Sequence, residues 1–198
     1  MMNTSATGGY LTPSGWEDYL KDETVTTFPR FMHSVLVGVT GLPREMVRPA
    51  FQRTPYKMPD YSTDWMAYNL TNFTGEKGSG YSNGSCLSKH ETFECVCYFY
   101  GDKATEYAST ARDGFELSQN RSSLLINGMG YNGASSIVRV PQLVNDQYYE
   151  QVNMTFYFSR EIKREYHVLN FSSVAGSIHA NSGDTVFVDE LLVKESGV

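Results

Sequence analysis

Residues 80–84 of the chain match a pattern that can supply a serine nucleophile. They read G-x-S-x-G with Ser82 at the centre. Such a serine is activated when a buried strand leads into a tight turn and then a helix, which strains and exposes it. Here Gly- and Ser-rich sequence precedes the motif and strand-forming sequence follows it. The pattern therefore favours a flexible turn, and a small hydrolase using Ser82 is the least favoured alternative.

A second pattern, G-x-G-x-x-G, spans residues 128–133. A dinucleotide site needs this motif after a strand and before a helix, so that the helix N-terminus meets the pyrophosphate. The predicted order is the reverse, because helical sequence precedes the motif and a strand follows it. We interpret Gly128 and Gly130 as a helix C-cap and predict no cofactor.

The third candidate is a zinc site. Its weak candidate ligands are Cys86, His90, Cys95 and Cys97. Structural zinc sites favour paired ligands on tight turns, whereas Cys95 and Cys97 share one face of a predicted strand, where a free cysteine acts as a small apolar residue. The chain has three cysteines, an odd number that indicates free thiols. We predict no metal site and no catalytic residue, and therefore a protein that is not an enzyme.

Two segments have the apolar spacing of helices. The first lies between residues 16 and 41, and its apolar positions are separated by three or four: Phe28, Phe31, Val35 and Val39. Gly41 and Pro43 are typical of a helix end. In the second, Asp102 is the predicted N-cap, and one apolar face continues from Ala104 towards Leu125.

Strand-forming sequence occurs at residues 65–73, 90–100, 136–140, 151–162 and 185–193. Residues 90–100 are apolar on both faces, which predicts a central strand covered on both sides. Residues 75–89 are rich in Gly and Ser, and we predict a long hairpin loop there that is dispensable for folding and needed for assembly. This order predicts an α+β fold, a mostly antiparallel β-sheet flanked by two main α-helices.

The length of 198 residues and the 40% hydrophobic content fit one domain. We predict an extended N-terminal arm over residues 1–15 and a single α+β domain over residues 16–198. The net charge of −6, with Lys and Arg dispersed, argues against a protein that binds nucleic acid tightly. There is no secretory signal and no apolar run of membrane-spanning length, so we expect assembly in a host cytoplasm and no membrane partner.

Several segments, in their order and spacing, resemble the phage neck terminator family. They are residues 41–49 (GLPREMVRP), Gln52, Pro55, Pro59, Trp65, His90–Glu91, residues 97–101 (CYFYG), residues 112–114 (RDG), Gln119–Asn120, residues 139–141 (RVP) and residues 160–166 (REIKREY). The similarity spans about residues 28–178.

The resemblance implies a tail-terminator role in the neck of the virion. It implies a homo-oligomeric ring, a hexamer, whose partners are the tail tube, the sheath where the tail has one, and the head–tail connector. It also implies that DNA passes through the lumen without tight binding. The alternative from the residues alone is a receptor- or carbohydrate-binding phage tail module, which the richness in Tyr favours.

Subunit and partner contacts are predicted at aromatic and basic positions in or next to the arm, in the loop and in the late strands. The candidates are Tyr10, Trp16, Lys77, Tyr81, Lys89, Arg139, Arg160, Lys163 and Arg164. We predict that the basic residues near 160 pair with carboxylates of a neighbouring subunit or the connector.

Overall fold

An antiparallel sheet built on two 15-residue strands forms the centre of the protein. The computed structural model describes residues 27–52, 57–60, 62–76, 81–83, 86–144, 146–166, 177–182 and 185–190. Its helices are α1 (Phe28–Thr40), α2 (Ala104–Glu116) and α3 (Ser118–Ile126), with a 3₁₀ turn at Arg44–Met46. Its strands are β1 (Val47–Pro49), β2 (Trp65–Gly75), β3 (Tyr81–Asn83), β4 (Cys86–Tyr100), β5 (Met129–Ala134), β6 (Val138–Arg139), β7 (Gln142–Val144), β8 (Gln147–Tyr149), β9 (Gln151–Glu165), β10 (Ser177–Ser182) and β11 (Thr185–Glu190).

The main sheet has the strand order β1-β2-β4-β9-β5, with β3 added beside β4 and β6 beside β9. All its pairings are antiparallel except the one between β1 and β2, which is parallel. This arrangement confirms the predicted α+β class with a mostly antiparallel sheet. A third helix, α3, joins the two that were predicted.

The core lies between one face of the sheet and the helices. Side chains alternate between faces along a strand, and the buried positions on β4 and β9 follow that period of two. They are Phe93, Cys95, Cys97, Phe99, Val152, Met154, Phe156, Phe158 and Ile162. The second face of β4 is covered only in part, because Val96 and Tyr98 are half-buried there while Trp65 and Ala67 beside them are buried. We call that second side the open face.

Helix α1 ends where the local sequence predicts. Pro29 stands in its first turn, where its missing N–H needs no partner. Gly41 follows the last turn in a left-handed conformation (φ 69°), and its N–H donates to the carbonyl of Val37 at 3.0 Å. The part of this helix predicted before residue 27 lies outside the described residues.

Helix α2 is capped by a residue that is distant in sequence. The predicted cap, Asp102, is wrong, because the N-cap position is Lys103 and no side chain from that position caps the helix. The N–H of Lys103 instead donates to Oδ1 of Asp64 at 3.0 Å, just before β2. The predicted continuation of one apolar face to Leu125 is also wrong, because the chain leaves helical geometry at Leu117 and restarts as α3.

The hairpin between β2 and β4 contains more strand than the composition of residues 75–89 indicated. Residues 86–89 belong to β4 and pair with β9, for example Lys89 with Ile162. On the other side of β4, Gly75 stands opposite Glu91 and Tyr81 opposite Ser88. Strand β3 therefore resumes the line of β2.

This register predicts which part of the hairpin is dispensable. Deleting residues 78–80 would place Lys77 opposite Lys89 and join β2 to β3 in one ladder, so we expect the free energy of unfolding to change by about 1 kcal/mol or less. Deleting residues 81–89 removes the partners of the end of β9 and should lower it by several times as much. Urea unfolding of the two variants measures the difference, and equal losses would contradict the register.

Strands β10 and β11 form a separate antiparallel ribbon, from Ser177 opposite Glu190 to Ser182 opposite Thr185. The sequence predicted only the second of these strands. Over the described ranges, no helix is long and apolar enough to span a membrane.

Candidate interaction surfaces

The two glycine-containing motifs lie in positions unsuited to the chemistry they suggested. Ser82 is in β3 opposite Leu87, and a strand, not a helix, follows it. Gly128 follows α3 with φ 68°, and its N–H donates to the carbonyl of Leu125 at 3.0 Å, as expected of a residue ending a helix. The same interpretation of Gly130 is wrong, because Gly130 lies in β5 opposite Ser159.

The structure brings together only two of the four weak zinc candidates. The sulfur atoms of Cys95 and Cys97 are 3.7 Å apart and fully buried under the helices. Burial raises the pKa of the Cys97 thiol, and its contact with Cys95 raises it further, so the thiol stays protonated. Cys86 lies nine residues earlier on β4, about 30 Å away along the strand, and His90 is on the opposite face. Within the part of the chain that the structure describes, no three His, Cys, Asp or Glu residues are grouped to hold a metal.

The basic side chains near residue 160 have partners within their own chain. Arg160 pairs with Glu91 at 2.5 Å, and the two side chains are only 13% and 12% exposed. Its guanidinium carbon also lies 4.0 Å from the ring centroid of Phe28. Arg160 is thus held by groups of its own chain, and its role in a subunit interface stays a prediction.

On the other side of β9, Nζ of Lys163 lies 3.6 Å from Oε1 of Glu161. A hydrogen bond from Ser88 lowers the pKa of Glu161 and keeps that carboxylate charged. Lys89 and Arg164 are half-buried.

Of the other predicted contacts, Arg139 is the most exposed one with a described side chain, and its Nε lies 3.8 Å from Oε1 of Glu150. Tyr10, Trp16 and Lys77 lie outside the described residues, as does the side chain of Tyr81.

Arg139 belongs to a groove at one end of the sheet, which we call the end groove. Its volume is about 570 Å³. Its lining comes from the chain before β2, from the turn after β4 and from the segment that runs from the end of β6 to the start of β9: Ser62, Gly101, Asp102, Arg139, Pro141, Tyr148, Tyr149, Glu150 and Gln151.

An aromatic stack supports the floor of the end groove. The rings of Trp65 and Tyr100 are stacked with centroids 4.2 Å apart, and Tyr149 packs against Tyr100 at 5.9 Å. Nε1 of Trp65 donates to the hydroxyl of Tyr149 at 3.4 Å. Three strands are thereby tied together at the groove, which gives it a rigid base.

Gln151 supplies an unsatisfied hydrogen-bond acceptor in the end groove. The residue is 4% exposed, and its Nε2 donates to Oδ1 of Asn153 at 2.6 Å. Among the residues that the structure describes, no group donates a hydrogen bond to its buried Oε1. Because a buried polar atom without a partner costs about 1–3 kcal/mol, this oxygen favours a bound group that donates a hydrogen bond.

The rim of the end groove is apolar and exposed. Leu143 and Tyr148 stand directly opposite each other in the β7–β8 hairpin, 60% and 79% exposed. Val138 and Val140, just before the hairpin, are also exposed. Tyr and Arg beside a concave apolar surface are the residue types that dominate the energetics of protein interfaces.

A second exposed apolar surface lies on α3. Leu124 is fully buried, whereas Leu125 and Ile126 are 67% and 62% exposed. Leu117, Arg121 and Leu125 are spaced by four, so they form one row along the helix surface. We call Leu117, Arg121, Leu125 and Ile126 the α3 ridge. A helix that is apolar on opposite sides is typical of one buried on both sides.

Neither of these two surfaces is predicted by the sequence patterns described above. The run Leu124-Leu125-Ile126 contained a signal, since three consecutive apolar residues cannot all face one side of a helix. No sequence signal indicated the exposure of Leu143 and Tyr148, because short alternating segments are equally typical of a buried edge strand.

A comparison with known protein families finds a match over most of this fold. A family described as phage neck terminator protein matches residues 26–183, from α1 through β10. No individually curated protein is significantly similar to the chain.

Proposed function

The chain belongs to the phage neck terminator family, and from this membership we propose that it forms a hexameric ring that ends the tail tube and joins it to the head–tail connector. The family supports a structural protein of the phage neck and therefore a place in the virion. The match carries the proposal because it covers residues 26–183, which include the whole main sheet and all three helices.

The exposed apolar side chains support assembly. Soluble monomers rarely expose clustered apolar side chains, and such clusters mark interaction sites. This chain exposes them on two separate elements, α3 and the β7–β8 hairpin. A closed ring needs two different surfaces on each subunit, because every contact joins one patch to a different patch on the neighbour.

The open face of the sheet suits a wall past which DNA moves. Within residues 65–71, 92–100 and 151–159 this face carries no Lys or Arg, and it carries the carboxylate of Glu94. Lys163 lies on the same face near the end of β9, where it pairs with Glu161. Its side chains include Asn69, Tyr98, Asn153 and Thr155. In this proposal the open face lines a subunit junction or the lumen, where neutral polar groups hold phosphates only weakly.

We therefore expect the assembled protein not to bind duplex DNA. The net charge is −6, and Arg139, Arg160 and Lys163 each have a carboxylate within 4 Å in the same chain. Filter binding at low salt should detect no complex at micromolar protein. Binding at that concentration, lost on combining Lys163→Ala with Arg164→Ala, would place these residues on the channel wall instead.

The mass and the shape of the assembled protein test whether it forms a hexameric ring. Native mass spectrometry and negative-stain images of the purified chain, alone and with tail tubes, should show sixfold rings, and tubes capped by a ring should not elongate. A chain that remains monomeric with tubes present would contradict the proposal.

A further inference from the structure

We infer that the α3 ridge of one copy of this chain docks in the end groove of the next copy. This inference rests on the proposed ring and names the two surfaces that join its subunits.

The two surfaces are too far apart to meet within one molecule. Helix α3 leads into β5, whose first residue, Met129, stands opposite Arg160 of β9. The end groove contains Gln151, at the other end of the same strand. Nine residues separate these two positions, about 30 Å of extended strand. A contact between the surfaces must therefore join different copies in a head-to-tail arrangement.

The charges of the two surfaces are complementary. Arg121 is the one charged residue in Ser118–Ile126. The lining of the end groove contains Asp102, Glu150 and Arg139, which sum to −1. Of the two carboxylates in the groove, Arg139 balances the charge of one. A guanidinium brought into the groove by another copy would balance the charge of the other.

The hydrogen-bonding groups are complementary as well. The end groove has a buried acceptor, Oε1 of Gln151, that accepts no hydrogen bond from the described part of the chain. Arginine is a donor with five N–H groups and no acceptor, so Arg121 can satisfy both this oxygen and a carboxylate. Leu125 and Ile126 would meanwhile cover the exposed pair Leu143 and Tyr148. Burying such a pair desolvates apolar surface on both copies.

Two variants separate the two halves of this contact. The ridge variant combines Leu125→Ser with Ile126→Ser, and the groove variant combines Leu143→Ser with Tyr148→Ser. The control variant combines Phe51→Ser with Met58→Ser, which are exposed apolar residues outside both surfaces. Native mass spectrometry of full chains is expected to show rings for the wild type and the control, and only monomers for the ridge and groove variants.

Mixing the ridge and groove variants tests the pairing directly. The mixture retains one intact ridge and one intact groove, so we expect a dimer with one copy of each and no larger species. That dimer also demonstrates that both variants are folded. Rings formed by either variant alone, or a mixture that stays monomeric, would overturn the inference while leaving a wild-type ring, and the proposed function, intact. A wild type that never assembles would overturn both.

Discussion

Replacing Gly101 by alanine is expected to lower the free energy of unfolding by about 4 kcal/mol, combining backbone strain of about 1–3 kcal/mol with overpacking of about 1–3 kcal/mol. Gly101 has φ 103°, a conformation that L side chains rarely adopt. An added Cβ would lie 2.9 Å from both Cα of Asp64 and the carbonyl oxygen of Thr63. These atoms cannot yield easily, because Asp64 caps α2 through the N–H of Lys103.

Two other glycines provide matched controls for this substitution. Gly41→Ala faces the strain of φ 69° with no atom of the described residues within 4 Å of the new Cβ, so it should cost about 1–2 kcal/mol. Gly38→Ala, inside α1 with open space around it, should stabilise the chain by about 0.5–1 kcal/mol. Urea unfolding at one protein concentration ranks the three variants. A Gly101→Ala variant no less stable than Gly41→Ala would show that the crossing of residues 63–64 over this turn is wrong.

Removing the carboxylate of Glu91 is expected to have a comparable effect. Glu91→Ala takes away the ion-pair partner of Arg160 at a position where both side chains are nearly buried. Breaking one side of a buried pair costs about 3–5 kcal/mol, because a charge remains in a poorly solvated place. Arg160 also stacks on Phe28 at the start of α1, so the loss should loosen the attachment of that helix. The unfolding free energy and hydrogen exchange of the first turns of α1 measure both effects.

Two comparisons show whether burial is the cause. The exposed pair Arg112 and Asp113 has Nε and Oδ1 3.4 Å apart with side chains 47% and 73% exposed, so Asp113→Ala should cost less than about 1 kcal/mol. Combining Glu91→Leu with Arg160→Met removes both charges and should recover most of the stability that Glu91→Ala loses. If the double variant is as unstable as the single one, packing rather than the unpaired charge explains the loss.

Local pattern in the sequence was sufficient for the elements whose signal repeats over many residues. Strand β9 alternates apolar and polar residues over its length, and the buried side chains Val152, Met154, Phe156 and Phe158 lie on the predicted face. Helix α1 ends at Gly41 as predicted, because a left-handed residue with no Cβ is a local requirement of a helix end. The family resemblance was likewise readable from the order of short segments.

The contacts between distant residues were decided by the tertiary structure alone. Asp64 takes the capping role predicted for Asp102, although it lies 39 positions from Lys103. Arg160 finds its partner 69 positions away, because β4 and β9 are neighbours in this register. The exposure of Leu125 follows from the break at Leu117, which turns α3 relative to α2. Periodicity states which side of an element is apolar, whereas the partner of a charge or the cover of an apolar face depends on which elements the fold brings together.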